Sequence, residues 1–143
     1  GFATTEYLGA SIIDLAWHSL SAAEAAELEA TPEAVAEFEA SALRAAGLDN
    51  PYIAPRYRST YFNHIFAGGY SAGYYSYLWA EALDADGFEW FKDQPDLRAA
   101  GQKFREVILS QGASRDFAEA YREFRGRDKD ITPLLKRRGL AGA

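Results

Sequence analysis

The run HIFAGGYSAGYYSYLW, from His64 to Trp79, sets a histidine and a glycine pair ahead of tyrosines at 70, 74, 75 and 77. A phenol with an ordinary pKa near 10 stays protonated at neutral pH. It can therefore donate to a carbonyl oxygen that gains negative charge as a reaction proceeds. If a helix runs from Tyr70 or Ser71 to about Leu83, Tyr70, Tyr74 and Tyr77 stand at i, i+4 and i+7 and present three hydroxyls along one face. Core packing explains any one of these tyrosines. Three in register point instead to a row of donors. Gly68 and Gly69 can act as a bend or helix cap and can also let a ligand approach the backbone, and the two roles are compatible.

Other chemistries find little support in the chain. There are two histidines, His18 and His64, and no cysteine, with no HExxH, no paired-cysteine spacing and no EF-hand loop. A self-contained metal site is therefore not expected. His18 closes an apolar-faced helix and reads as a C-terminal or packing residue. No serine sits in a GxSxG elbow, so covalent catalysis has no candidate nucleophile. Carboxylates in stretches such as EAAELEA read as a solvated face.

The elements that must position the tyrosines are helical almost throughout. With 143 residues, 48% of them hydrophobic and 15% aromatic, the chain has the size and apolar content of one ordinary domain. From Thr4 to Leu20, Tyr7, Leu8, Ile12, Leu15 and Trp17 recur at helical spacing and predict a core-facing helix. Ser21 to Ala30 continues it or turns. Thr31 as N-cap, Pro32 at the first helical position and Glu33 open a helix that Gly47 ends. LDNPYIAPRYR reads as an irregular connection because Pro51 and Pro55 bias their predecessors away from helix. A short helix over Tyr61 to Phe66 breaks at Gly68-Gly69, ahead of the central helix. Asp86-Gly87 signals a turn, and Pro95 precedes a helix ended by Gly112. Ser114 is the candidate cap of a helix to Phe124, and PLLKRRG forms a last turn. The fold class is all-α, an irregular multi-helix bundle over residues 1–143.

Charge and flanking signals narrow the partners. Residues 1–97 carry 4 basic and 15 acidic side chains, whereas residues 98–143 carry 11 and 6, so the two stretches should attract. The basic stretch alternates with acids, as in REFRGRDKD, and lacks a nucleic-acid recognition signature. No apolar run is long enough to span a bilayer and no leader pattern opens the chain, so neither nucleic acid nor membrane is an expected partner. The compartment stays open between cytoplasm and periplasm, with the cytoplasm slightly favoured. The chain has no methionine and opens on a helix already under way, which predicts a piece of a longer protein. The apolar surface left by a missing half could drive self-association.

The segments EYLGASIIDLAWH, PRYRSTYFNHIFAGGYSAGYYSYLW, REVILSQGASRD, FRGR and LLKRRGL resemble the thermolysin-like oligopeptidase family of zinc metallopeptidases over essentially the whole chain. The PRYRS stretch is more similar to the peptidyl-dipeptidase branch than to the oligopeptidase A branch. The resemblance implies the C-terminal part of a larger, mostly helical peptidase that hydrolyses oligopeptides and releases C-terminal dipeptides. Its zinc, held by an HExxH helix and a further glutamate, would lie in the missing N-terminal part. This chain alone would then be inactive and metal-free. By position, Tyr70 and Tyr77 match tyrosines that contact substrate and oxyanion. His64, Gly68, Gly69 and Tyr74 match the substrate-binding surroundings. Arg56 and Arg58 are candidates for the substrate's terminal carboxylate, since guanidinium binds carboxylates in a bidentate fork. The competing expectation is a non-enzymatic helical module that binds a peptide or protein through its aromatic segment.

Overall fold

A computed structural model describes residues 1–141. Helices and turns make up the architecture, and no strand occurs among the described residues. Among the described residues the α-helices are α1 Phe2–His18, α2 Ala22–Glu27, α3 Pro32–Ala45, α4 Asn63–Phe66, α5 Ser76–Lys92, α6 Leu97–Phe104, α7 Phe117–Arg125 and α8 Thr132–Arg137. They fall into two compact units, residues 1–77 and 78–143.

In the first unit, local chemistry sets the helix boundaries. Ser21 and Glu24 form a reciprocal capping box at α2, and Thr31 accepts from the Ala34 N–H with Pro32 following, as the sequence predicts. The buried face of α1 differs from the expected stripe. Gly9, Ala10, Ser11, Ile13 and Asp14 are buried, whereas Leu15 is exposed. The inward face is built of small side chains and one acid because α1 meets backbone there as well as side chains. Ala10 joins Phe62, Ile65 and Tyr74 in the core, with Tyr7, Trp17 and Tyr57 packed around them. The connection after α3 is irregular, with a 3₁₀ turn at Ser59–Tyr61. Trp17 Nε1 donates to Ser59 Oγ at 2.7 Å and ties that turn to α1.

In the second unit, α5 runs straight through Asp86-Gly87, where the sequence signals a turn. Asp86 is fully buried and collects donors from later in the chain. The Tyr121 hydroxyl donates at 2.8 Å, Arg125 Nη2 at 3.0 Å and Arg127 Nη2 at 2.6 Å. Gly87 faces the Phe124 ring. These long-range contacts outweigh the local preference of an Asp-Gly pair for a turn. The attraction between acidic and basic stretches is realised in the same unit, where Asp84 pairs with Arg137 at 2.7 Å and Glu81 with Arg138. Trp90, Phe91, Phe104 and Phe124 form an aromatic cluster beside Asp86, with ring centroids 4.7–6.0 Å apart. Asp96 caps α6, which widens into a π-type turn over Arg105–Leu109. The cap of α7 is Asp116, not Ser114. The Asp116 carboxylate reaches the Glu119 N–H at 2.9 Å, while the Ser114 hydroxyl donates to Gln111.

Burial by itself would raise the pKa of Asp86. Hydrogen bonds from Tyr121, Arg127, Arg125 and the Asp130 N–H outweigh it and hold the carboxyl below its ordinary value. A depressed folded-state pKa contributes stability above the unfolded value, and that stability is lost as pH falls through the folded one. Acidification below the ordinary carboxylate range should therefore destabilise residues 78–143. Asp86→Asn should lower stability at neutral pH by about 3–5 kcal/mol and flatten the acid limb. Thermal unfolding from pH 7 downwards measures both, and a variant with an unchanged acid limb contradicts the assignment.

Candidate functional site

The glycine-tyrosine segment is a turn, not the helix its tyrosine spacing predicts. Residues 71–75 form successive turns, and α5 starts only at Ser76. After α4 the Tyr70 N–H donates to the His64 carbonyl at 2.9 Å and the Ser71 hydroxyl to the Ile65 carbonyl at 2.6 Å. The chain thus folds back over its own preceding turn. At Gly68 an added Cβ would lie 2.9 Å from His64 Cα and 3.0 Å from its carbonyl oxygen. Gly69 has φ +83°, a left-handed conformation that side chains disfavour. Ala72 adopts φ +52° although it carries a side chain.

Groups on α1 hold this turn in place. Asp14, 0% exposed, accepts from the Ala72 N–H at 2.9 Å through Oδ1 and from the Tyr74 N–H at 2.8 Å through Oδ2. The Tyr7 hydroxyl donates to the Tyr74 carbonyl at 2.8 Å. A non-glycine residue at positive φ costs on the order of 1–3 kcal/mol. Hydrogen bonds to a carboxyl group, about 1.5–3 kcal/mol each when it is charged, are large enough to offset that cost. His18 Nδ1 lies 2.8 Å from Asp14 Oδ1, so this histidine serves the end of α1 as its position predicts.

The turn gathers most of the predicted site residues. Tyr70 and Tyr77 stack with ring centroids 5.3 Å apart and are 36% and 42% exposed. Tyr74, 4% exposed, lies in the core with its ring stacked on Tyr7. The expected row of three outward hydroxyls is therefore a partly exposed pair over a buried third ring. His64 sits between Tyr57 at 5.0 Å, Tyr74 at 5.6 Å and Tyr70 at 6.0 Å. Arg56 lies over the Tyr57 ring, 5.8 Å from its centroid, where its charge also acts on the Tyr74 hydroxyl. Arg58 is drawn elsewhere. It pairs at 3.0 Å with Glu39, a buried acid that also accepts from the Ser59 N–H.

Protonation suits these phenols to donating. Tyr77 is pushed up to about 12, first by its hydrogen bond with Tyr70 and then by burial. Burial comes first for Tyr74, which is also raised, with Arg56 pulling the other way. Both remain protonated throughout the neutral range. Asp14, Tyr7 and Tyr57 complete the site and were not candidates from the sequence. The one signal for Asp14 was an acid set in the apolar run Ile12-Ile13-Asp14-Leu15.

The zinc that the resemblance implies does not fit these residues. Among the described residues no group of three or more His, Cys, Asp or Glu could hold a metal ion. His18 is engaged by Asp14, and His64 is ringed by aromatics.

The exposed phenols of Tyr70 and Tyr77 flank a glycine-containing turn in a mostly helical chain, and comparison with known proteins gives its lineage. Residues 1–140 match Peptidase family M3, and the chain belongs to that family. It is 48% identical over 141 residues to the dipeptidyl carboxypeptidase of Salmonella typhimurium, covering 98% of this chain and 20% of that protein. The dipeptidyl carboxypeptidase of Escherichia coli matches with the same identity and coverage. Oligopeptidase A of Escherichia coli is 46% identical over 82 residues, 57% of this chain and 12% of that protein. The chain thus spans about a fifth of the length of the dipeptidyl carboxypeptidases it matches.

Alanine at Gly68 meets backbone that cannot swing aside, so Gly68→Ala should destabilise the chain by about 1–3 kcal/mol. Gly69→Ala, with open space but positive φ, should cost about 1–2 kcal/mol. Denaturant unfolding of both variants tests this, and wild-type stability in Gly68→Ala contradicts the close approach.

Proposed function

We propose that this chain forms one wall of the substrate site of a metallopeptidase that hydrolyses oligopeptides and releases C-terminal dipeptides. The observation that carries the reading is the stacked, partly exposed Tyr70–Tyr77 pair at the two ends of a pinned turn, in a chain of Peptidase family M3. Attack on a peptide carbonyl turns its oxygen into an anion. The Tyr77 hydroxyl, with Tyr70 beside it, donates to that oxygen, and because the groups are already oriented little reorganisation is needed. His64, Gly68 and Gly69 border the place where the peptide lies, and Tyr74 supports it from beneath. The metal is held by residues outside this chain, and the tyrosine step stands without reference to it.

The reading also separates the two arginines. Arg58 is occupied by Glu39 and anchors the irregular connection. Arg56, exposed beside the tyrosines, is the cation for a substrate's terminal carboxylate. The dipeptidyl carboxypeptidase relatives support a substrate with a free C-terminus.

In the full-length enzyme Tyr77→Phe should lower kcat by about 10²–10³ with little change in KM, because the donor acts mainly in the transition state. An unchanged kcat refutes the role. Arg56→Ala should shrink the preference for free over C-terminally amidated peptides by roughly ten- to a hundred-fold, the worth of a charge-assisted hydrogen bond. Arg58→Ala should keep that preference. The opposite pattern would reverse the assignment.

A further inference from the structure

Two exposed phenols can act together only if their spacing is held, and nothing within residues 70–75 supplies a regular hydrogen-bond ladder to hold it. Its first residues are tied to the carbonyls of α4, and beyond them the support comes from α1, 58 and 60 residues earlier in the chain. The two oxygens of Asp14 take the N–H groups of Ala72 and Tyr74, and the Tyr7 hydroxyl takes the carbonyl of Tyr74. The Tyr74 residue is thereby gripped at both ends, midway between Tyr70 and Tyr77. His18 Nδ1 lies 2.8 Å from Asp14 Oδ1, the oxygen that accepts from Ala72, and 2.9 Å from the Asp14 carbonyl oxygen, and so holds the carboxyl group against the end of α1.

We propose that Asp14, oriented by His18, is a positioning residue for the peptidase reaction, fixing the Tyr70–Tyr77 hydroxyl pair by clamping the backbone of the turn between them. It touches no substrate and acts through Tyr77. The proposal rests on the reading of Tyr77 as an oxyanion donor. Asparagine is the informative replacement. It matches aspartate in size but offers one acceptor oxygen, so its NH2 group faces one of the two N–H donors and that end of the clamp opens. Misplacement of a catalytic group by about 1 Å costs on the order of 10²-fold in rate.

A double-mutant cycle in the full-length enzyme tests this. Asp14→Asn should lower kcat by about 10- to 100-fold with KM changed less than about threefold, and the loss should largely vanish in a Tyr77→Phe background. A merely structural role lowers kcat by the same factor in both backgrounds, and that result overturns the proposal while leaving the role of Tyr77 intact. An unchanged kcat in Tyr77→Phe alone overturns the donor reading and the proposal with it. A second readout needs no activity. In this chain, the high-pH tyrosinate absorbance that Tyr77→Phe removes should shift in Asp14→Asn from about 12 towards the ordinary phenol value. An unmoved titration in a folded variant overturns the clamp. If Asp14→Asn does not fold, His18→Gln takes its place. It should show the same coupling to Tyr77→Phe at smaller amplitude, and strictly multiplicative losses again overturn the proposal.

Discussion

A buried carboxyl group near the end of α1 holds the turn between Tyr70 and Tyr77. Placing Asp14 in the interior costs several kcal/mol unless its oxygens are satisfied. Here they are, by two backbone N–H groups and a histidine nitrogen. The same bonds carry the conformational cost of the turn, including Ala72 at positive φ. A helix would fix the tyrosines through its own ladder but spread them along one face. The turn brings Tyr70 and Tyr77 into a stacked pair, at the cost of depending on a distant element for its shape.

The second unit uses the same device for stability. Asp86, inside α5, gathers Tyr121, Arg125, Arg127 and the Asp130 N–H, and so draws α7 and the connection after it onto one helix. In each unit an acid on an otherwise apolar helical face marks the point where a later segment docks. Hydrophobic burial supplies most of the stability of such cores, but it is non-directional. The buried acids add direction, because each accepts only from donors at particular places.

Local chemistry was legible in the sequence, and long-range pairing was not. Thr31-Pro32 opened α3 and Gly68-Gly69 broke the chain after α4, because capping and positive φ depend on a few neighbouring residues. The residue types of the site were legible too, in the tyrosines, His64 and the arginines. Their geometry was not. The i, i+4, i+7 spacing of Tyr70, Tyr74 and Tyr77 suggested a helix, but Asp14 binds the Tyr74 N–H, which a helix would have used internally. Asp86-Gly87 suggested a turn, but donors some 35 to 44 residues later stabilise it within a helix. The two arginines of PRYRS were indistinguishable by type. Only the burial of Glu39 separates them.

Amide hydrogen exchange at Ala72 and Tyr74 tests the central claim most directly. If the Asp14 carboxyl group pins the turn, both amides exchange as slowly as the middle of α1, and Asp14→Asn speeds these two while leaving α3 protected. Exchange of both amides at the rate of an open loop in the unaltered chain would contradict the account.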